Sequence, residues 1–195
     1  MGLFKKKPTD FATLNLNARL QPMHRDAYYE KGLNKVLKKS KIGWVDGGGT
    51  MLSKEEGPLE CDVDITYYKD KEQELIKIIK DLPVVPKGSK LILGDTDDDI
   101  DDEHTIAVGT LEGLAIYLNG TELDEKVYKE CDVNYVIEEL GKLLGNKLVF
   151  FSYWTGNKEN ALYFYGTDYE GMKTAVEPFL ADYPLCQKCR VVQIA

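Results

Sequence analysis

Three features of the sequence predict an α+β fold, a tandem duplication of a ferredoxin-like βαββαβ unit with antiparallel sheets and helices on one face. Strand-like and helix-like patterns succeed one another in the same order in both halves of the chain. The distance from the third strand to the end of the last strand is nearly equal, at 33 residues from Cys61 to Leu93 and 34 from Ala161 to Ile194. An acidic run divides the two patterns. We therefore predict a first half at 11–94, a linker at 95–104 and a second half at 105–195.

In the first half, apolar residues alternate with polar ones from Phe11 to Leu20, which is typical of a strand with one buried face. Helical apolar spacing comes next, and then two strand-like runs around three consecutive glycines. In chain order, these patterns predict a strand at 11–20, a helix at 25–40, strands at 42–52 and 59–68, a helix at 70–82 and a strand at 89–93.

The second half repeats this order. A strand or tight strand pair at 105–118 precedes apolar positions with helical spacing that stop at Gly145, a common helix end. Glycine and asparagine at 156–157 predict the turn of a hairpin. Thr167 or Asp168 can cap the next helix. The remaining predicted elements are hairpin strands at 147–154 and 161–165, a helix running to Leu180 and a closing strand at 190–194.

The charge of the chain points away from nucleic acid as a partner. Asp and Glu number 33 against 25 Lys and Arg, a net charge of −8 over 195 residues, and a uniformly acidic body is repelled by phosphate. Seven carboxylates lie at 94–103, where the spacing of a calcium-binding EF-hand is missing, so a solvated linker is the favoured interpretation. No apolar run is long enough to cross a membrane, and we expect a cytoplasmic protein of undetermined oligomeric state.

The four cysteines, Cys61, Cys131, Cys186 and Cys189, are too few and too scattered for a disulfide scaffold. Cys186 and Cys189 form one C-x-x-C pair. A zinc site needs about four ligands, and a redox pair should open a helix after a strand. This pair comes after Pro184 and precedes an apolar run, so we interpret it as ordinary reduced thiols and expect neither metal nor cofactor.

Polar residues gather at one predicted edge of the first sheet. The end of the first strand, the start of the first helix, the central hairpin and the start of the third strand meet there. A small anionic or polar ligand could bind to cationic side chains and to backbone N–H groups of the glycine run. Two alternatives stay open: the glycines form a bulge, and Arg19 pairs with Asp62 across strands. The candidate ligand-binding residues are Arg19, Gln21, His24, Arg25, Gly48, Thr50, Asp62 and Asp64.

A catalytic interpretation rests on fragments. Asp62 and Asp64 project to the same face of a strand, about 7 Å apart, a spacing that would suit a metal or an acid–base pair. Neither a nucleophile with its base nor a full metal-ligand cluster is evident, and the two histidines, His24 and His104, are far apart in sequence. No residue is assigned a catalytic role.

The hairpin of the second half is crowded with aromatic residues, and one of its two sides must be core. The other side would place rings on the open face of the second sheet. RNA-recognition domains stack bases on such rings but surround them with Lys and Arg, whereas this hairpin has only Lys147 and Lys158. We therefore expect these rings to pack against the other half or to contact a protein partner. The candidate partner surface comprises Tyr153, Trp154, Tyr163 and Tyr165.

Several strings are familiar in combination: ARLQP at 18–22, GGGT at 47–50, CDVD at 61–64, SYW at 152–154, ALYFYG at 161–166 and PLCQ at 184–187. Together they resemble a group of bacterial proteins of about this length that has no assigned activity. The resemblance covers nearly the whole chain from Phe11 onward. It implies a bacterial cytoplasmic protein and a single regular cysteine, Cys186, and it offers no catalytic residue.

These observations favour a non-enzymatic protein that binds a small polar ligand or a protein partner, in a regulatory or immunity-like role. Acidic inhibitors often meet basic partners. The alternative is a small enzyme or metal-dependent hydrolase that uses the polar face of the first sheet.

Overall fold

The computed structural model describes residues 7–94 and 104–195. The first half forms a sheet whose strands are ordered β2-β4-β1-β5, with β3 beside β4 and β6 on the far edge of β5. A π-helical turn at Asp26–Glu30 joins the first two helices. The elements are β1 (Thr9–Leu16), α1 (Pro22–Arg25), α2 (Lys31–Lys39), β2 (Gly43–Gly47), β3 (Thr50–Ser53), β4 (Gly57–Tyr68), α3 (Glu72–Lys80), β5 (Ser89–Leu93) and β6 (Thr105–Val108).

The second half forms a separate sheet with strand order β10-β7-β9-β8. In both halves the first and third long strands are central and antiparallel, so the predicted duplication of a ferredoxin-like unit is confirmed. The elements are β7 (Glu112–Asn119), α4 (Glu125–Glu130), α5 (Val133–Leu144), β8 (Leu148–Thr155), β9 (Glu159–Gly166), α6 (Tyr169–Asp182) and β10 (Arg190–Gln193). Asp168, one of the two predicted caps, accepts a hydrogen bond from the Gly171 N–H at the start of α6.

The alternation in β1 sets the register of the first sheet. Ala12, Leu14 and Leu16 are buried, and they lie opposite the buried residues Ile65, Val63 and Cys61 of β4. A slip by one residue would move all of these side chains to the other face, so burial fixes the pairing.

The boundary between the halves differs from the prediction. Residues 105–108 were assigned to the second half, but as β6 they pair with β5, with Ile92 opposite Thr105 and Ser89 opposite Val108. The first sheet thus contains a strand from beyond the acidic run. Residues 95–103 of the predicted linker lie outside the described residues.

The two sheets differ in how their faces are covered. In the second sheet, Leu114, Ile116 and Phe164 pack in one core with α5 and α6, while Tyr117, Tyr163 and Tyr165, on the opposite face, belong to the core of the first half. Both faces of this sheet are therefore filled. The first sheet has helices on one face, and on the other face most side chains of its central strands are exposed or half-buried.

Candidate functional site

The predicted polar edge of the first half lies at the junction with the second half. The Arg19 N–H donates to the Tyr165 hydroxyl at 2.6 Å, and the Ser152 hydroxyl donates to the Arg19 carbonyl at 2.8 Å. The Gln21 side-chain amide donates to the Tyr153 carbonyl at 2.7 Å. Arg19 and Gln21 thus join the halves, and their placement at a ligand site stays a prediction without support from these contacts.

The cationic side chains of this edge already have partners inside the protein. Arg19 Nη1 donates to the Leu59 carbonyl at 2.5 Å, and the pairing of Arg19 with Asp62 is replaced by this bond. Arg25 is only 8% exposed; its Nε donates to Glu30 at 2.6 Å and its Nη1 donates to the Thr50 hydroxyl at 2.9 Å. The Arg25 guanidinium therefore ties α1 to β3 instead of facing solvent.

His24 lies beside the second half. Its ring meets the Tyr153 ring edge-on, with centroids 5.1 Å apart, and its Nδ1 is buried without a hydrogen-bond partner among the described residues. Burial lowers the pKa of His24 below its ordinary value, so the neutral imidazole is favoured in the folded protein. A neutral, partly buried ring suits packing better than the binding of an anion.

The three consecutive glycines form the bulge that was one of the two predicted interpretations. The register of β2 against β4 shifts between Val45 and Gly47, and Gly47 has a φ of +134°. Gly48 approaches β4 so closely that a Cβ there would overlap the Asp62 carbonyl oxygen. The adjacent Gly49 exchanges two backbone hydrogen bonds with Asp62. The glycines therefore serve strand pairing.

Asp62 and Asp64 lie on the open face of the first sheet, as the alternation predicts. Asp62 accepts a hydrogen bond from the Asn15 side chain at 2.8 Å, and Asp64 accepts one from the Thr13 hydroxyl at 3.3 Å. Within residues 7–94 and 104–195, no group of three or more His, Cys, Asp or Glu side chains is placed to hold a metal ion.

The rings of the aromatic hairpin do not form the predicted partner surface, because most of them are buried inside the protein. Tyr163 and Tyr165 are fully buried between the halves, and the Tyr163 hydroxyl donates to the Glu56 carbonyl at 3.3 Å. The Trp154 ring packs against Gly57 so closely that a Cβ there would overlap it. Of the four predicted residues, Tyr153 alone is exposed, at 40%. Since the other three rings form the intramolecular junction, they cannot also present an anchor to a partner.

The cysteines are free thiols, and burial raises the pKa of Cys186 to about 12. A thiol with such a pKa stays protonated and is a poor nucleophile. The C-x-x-C pair lies at and just after a short 3₁₀ turn at Pro184–Cys186, and no helix begins at it.

A second group of rings lies on the open face of the first sheet, where sequence reasoning did not place one. Phe11 on β1 and Trp44 on β2 both pair with Thr66 of β4, one from each side, and Tyr68 is two residues further along β4. Phe11 is 55% exposed, and the rings of Trp44 and Tyr68 meet edge-on at 6.1 Å. Phe11 alternates in step with Thr13 and Asn15, so the sequence pattern already places its side chain on the open face.

Three lysines lie beside two of these rings, Trp44 and Tyr68. Lys7, Lys38 and Lys41 line a shallow pocket of about 270 Å³ together with Trp44 and Tyr68, and Lys7 Nζ lies 5.4 Å from the Tyr68 ring centre. Lys38 and Lys41 are exposed and form no ion pair with any residue that the structure describes. We call this group the aromatic–lysine corner; it comprises Phe11, Trp44, Tyr68, Lys7, Lys38 and Lys41.

Lys41 has an unusual backbone conformation for a lysine. Its φ is +54°, the left-handed region that glycine usually occupies after a helix. The Ile42 N–H donates to the Leu37 carbonyl and the Lys41 N–H donates to the Lys38 carbonyl, which is the Schellman pattern at the end of α2. A side chain at this position costs some stability, yet the position carries a cation at the corner.

The comparisons with known proteins give little beyond the fold. No family model matches the chain, and no curated protein matches it. Among solved structures, the chain is similar to the crystal structure of the first two RRM domains of the yeast poly(U) binding protein Pub1, at 9% sequence identity and a TM-score of 0.27, with 96% of this chain and 99% of that chain covered. No helix among the described residues is long and apolar enough to cross a membrane.

The expectation that nucleic acid is excluded as a partner is wrong. The distribution of charge along the chain removes the ground on which that expectation rested. Seven acidic residues occupy positions 95–103, whereas residues 7–94 carry 15 Lys and Arg against 13 Asp and Glu. The net charge of −8 therefore does not describe the first half, whose formal charge is slightly positive.

Proposed function

We propose that this protein is a non-catalytic binding protein and that its binding surface is the open face of the first sheet. One observation carries the proposal. The face of the second sheet that is turned away from its helices is filled by the first half. The corresponding face of the first sheet is open, with Phe11 55% exposed and the Trp44 and Tyr68 rings in contact with each other. Grouped large rings at a surface are typical of interaction sites. A regulatory role fits such a protein, and a bacterial, cytoplasmic origin stays a prediction.

The enzymatic alternative has less support. The Arg25 guanidinium bonds to Glu30 and Thr50, the Asp62 and Asp64 carboxylates each accept a hydrogen bond from a neighbouring strand, and His24 is packed against Tyr153. These side chains form contacts within the protein that stabilise the fold. An immunity-like role predicts that the partner captured at the open face is a protein.

The test is photo-crosslinking in cells that make the protein. A photoreactive phenylalanine analogue replaces Phe11 in one version of the full chain and Tyr135 in a control; Tyr135 is 45% exposed on α5 of the second half. We expect a crosslinked product from position 11 and none from position 135. Absence of a product at position 11, or equal products at both positions, would overturn the proposal.

A further inference from the structure

We propose that the ligand of the open face is single-stranded nucleic acid, whose bases stack on Phe11, Trp44 and Tyr68 while its phosphates meet Lys7, Lys38 and Lys41. This inference rests on the proposed function and names the chemical class that the aromatic–lysine corner would bind. The combination of one exposed ring, two half-buried rings and three cations at one end of the first sheet supports it, since rings alone would suit a protein partner equally well.

The spacing of the rings suits a short run of unpaired bases. Phe11 and Trp44 lie on strands to either side of β4, so their backbones are roughly 10 Å apart. Tyr68 lies between them in strand order and two residues along. Bases in a duplex are paired and stacked inside and cannot reach such rings, whereas those of a single strand can lie flat on them. Two or three nucleotides would occupy this area.

The lysines place the phosphates on one side of the rings. Lys38 and Lys41 come from the end of α2, and Lys7 precedes β1, so all three lie near the same end of the sheet. Lys7 also forms an exposed ion pair with Asp70, at 3.6 Å, which is weak in water. Lysine ammonium groups near an exposed pocket are suited to phosphate as point charges.

The carboxylates on the same face limit the footprint. Asp46 accepts a hydrogen bond from the Trp44 indole N–H at 2.7 Å, and Asp62 and Asp64 lie further along β4, away from the lysines. These charges repel phosphate, so the strand should not continue along the whole sheet. We therefore expect modest affinity and a small dependence on salt. Three phosphate contacts correspond to a slope of about −2 in a plot of log affinity against log salt.

The experiment measures fluorescence anisotropy of labelled ten-nucleotide mixed-sequence RNA and DNA with the full-length protein, each probe tested single-stranded and as a duplex. We expect saturable binding of a single-stranded probe and weaker binding of the duplex. The exposed Phe11 can be replaced with little effect on folding, and Phe11→Ala should weaken binding roughly five- to a hundredfold. Tyr135→Ala, the matched control in the second half, should leave binding unchanged.

Two lysine variants test the electrostatic part. Lys41→Gly removes a cation and relieves the left-handed backbone, so the folded state should be at least as stable while binding and its salt slope fall. Lys80→Gln, at the end of α3 on the opposite end of the sheet, is the control and should change neither. Weakened binding in a more stable protein cannot be attributed to loss of fold.

Several results would overturn the inference: no saturable binding of any single-stranded probe, equal affinity for the duplex, or no effect of Phe11→Ala. If a product still forms at position 11 in cells while the oligonucleotides do not bind, only the ligand class is wrong and the proposed function stands. A product whose size does not change on nuclease treatment would assign the surface to a protein partner instead. Without any product at position 11, both would fail.

Discussion

Replacing Tyr165 by alanine is expected to lower the free energy of unfolding by about 3–5 kcal/mol, the usual cost of truncating a fully buried aromatic side chain. Tyr165 is 0% exposed, stacks on Phe150 with ring centroids 4.4 Å apart, and receives the Arg19 N–H on its hydroxyl oxygen. The substitution would leave a cavity between the halves and an unpaired backbone N–H. Chemical denaturation of the variant and the parent protein measures the loss.

Two variants give this prediction its controls. Tyr165→Phe keeps the ring and removes only the hydroxyl, so it should cost about 1–3 kcal/mol, the penalty of leaving a buried donor unsatisfied. Tyr153→Ala, on the same hairpin but 40% exposed, should cost clearly less than Tyr165→Ala. A loss below about 1 kcal/mol for Tyr165→Ala would mean that the halves are not held together through this ring.

The second large effect is expected in the glycine run. A Cβ at Gly48 would overlap the Asp62 carbonyl oxygen of β4, and backbone atoms in a paired strand cannot move aside cheaply. Gly48→Ala should therefore cost about 3 kcal/mol or more, in the range reserved for strained or overpacked sites. Loss of pairing here would also shift Trp44, which precedes the bulge on β2.

The matched control is the next residue. At Gly49 a Cβ would meet no atom within 4 Å, so Gly49→Ala should be nearly neutral. Thermal unfolding measured by circular dichroism compares the two variants directly. Equal stability of Gly48→Ala and Gly49→Ala would contradict the close approach of Gly48 to β4, and with it the bulge interpretation of the glycine run.

Local pattern was sufficient to predict much of the fold. The alternation of Ala12, Leu14 and Leu16 predicts the buried face of β1, and the helical spacing up to Gly145 predicts where α5 ends. Both depend on neighbours in sequence. The placement of β6 could not be predicted in this way, because Thr105–Val108 lies after the acidic run and its pairing with β5 is decided by the sheet edge.

The candidate site was harder to predict because it depends on how the halves pack. The sequence pattern does not distinguish whether Tyr163 and Tyr165 belong to the core or to the surface. Their hydrogen bonds to Arg19 and Glu56 of the first half show that they lie in the core. Gln21, predicted as a ligand-binding residue, likewise contacts the second half, through its hydrogen bond to the Tyr153 carbonyl. Phe11 had the correct parity for the open face, but the averaged charge of the chain concealed the lysines nearby.

The most direct test of the central idea, that ligand binds the first sheet and not the second, uses the two tryptophans. Trp44 lies on the open face and Trp154 is packed between the halves, so Trp154→Phe and Trp44→Phe each leave one reporter. Titration with a single-stranded oligonucleotide should quench the emission of Trp44 in a saturable way and leave that of Trp154 unchanged. Quenching of Trp154 with no change at Trp44 would contradict binding at the first sheet and place the ligand at the second.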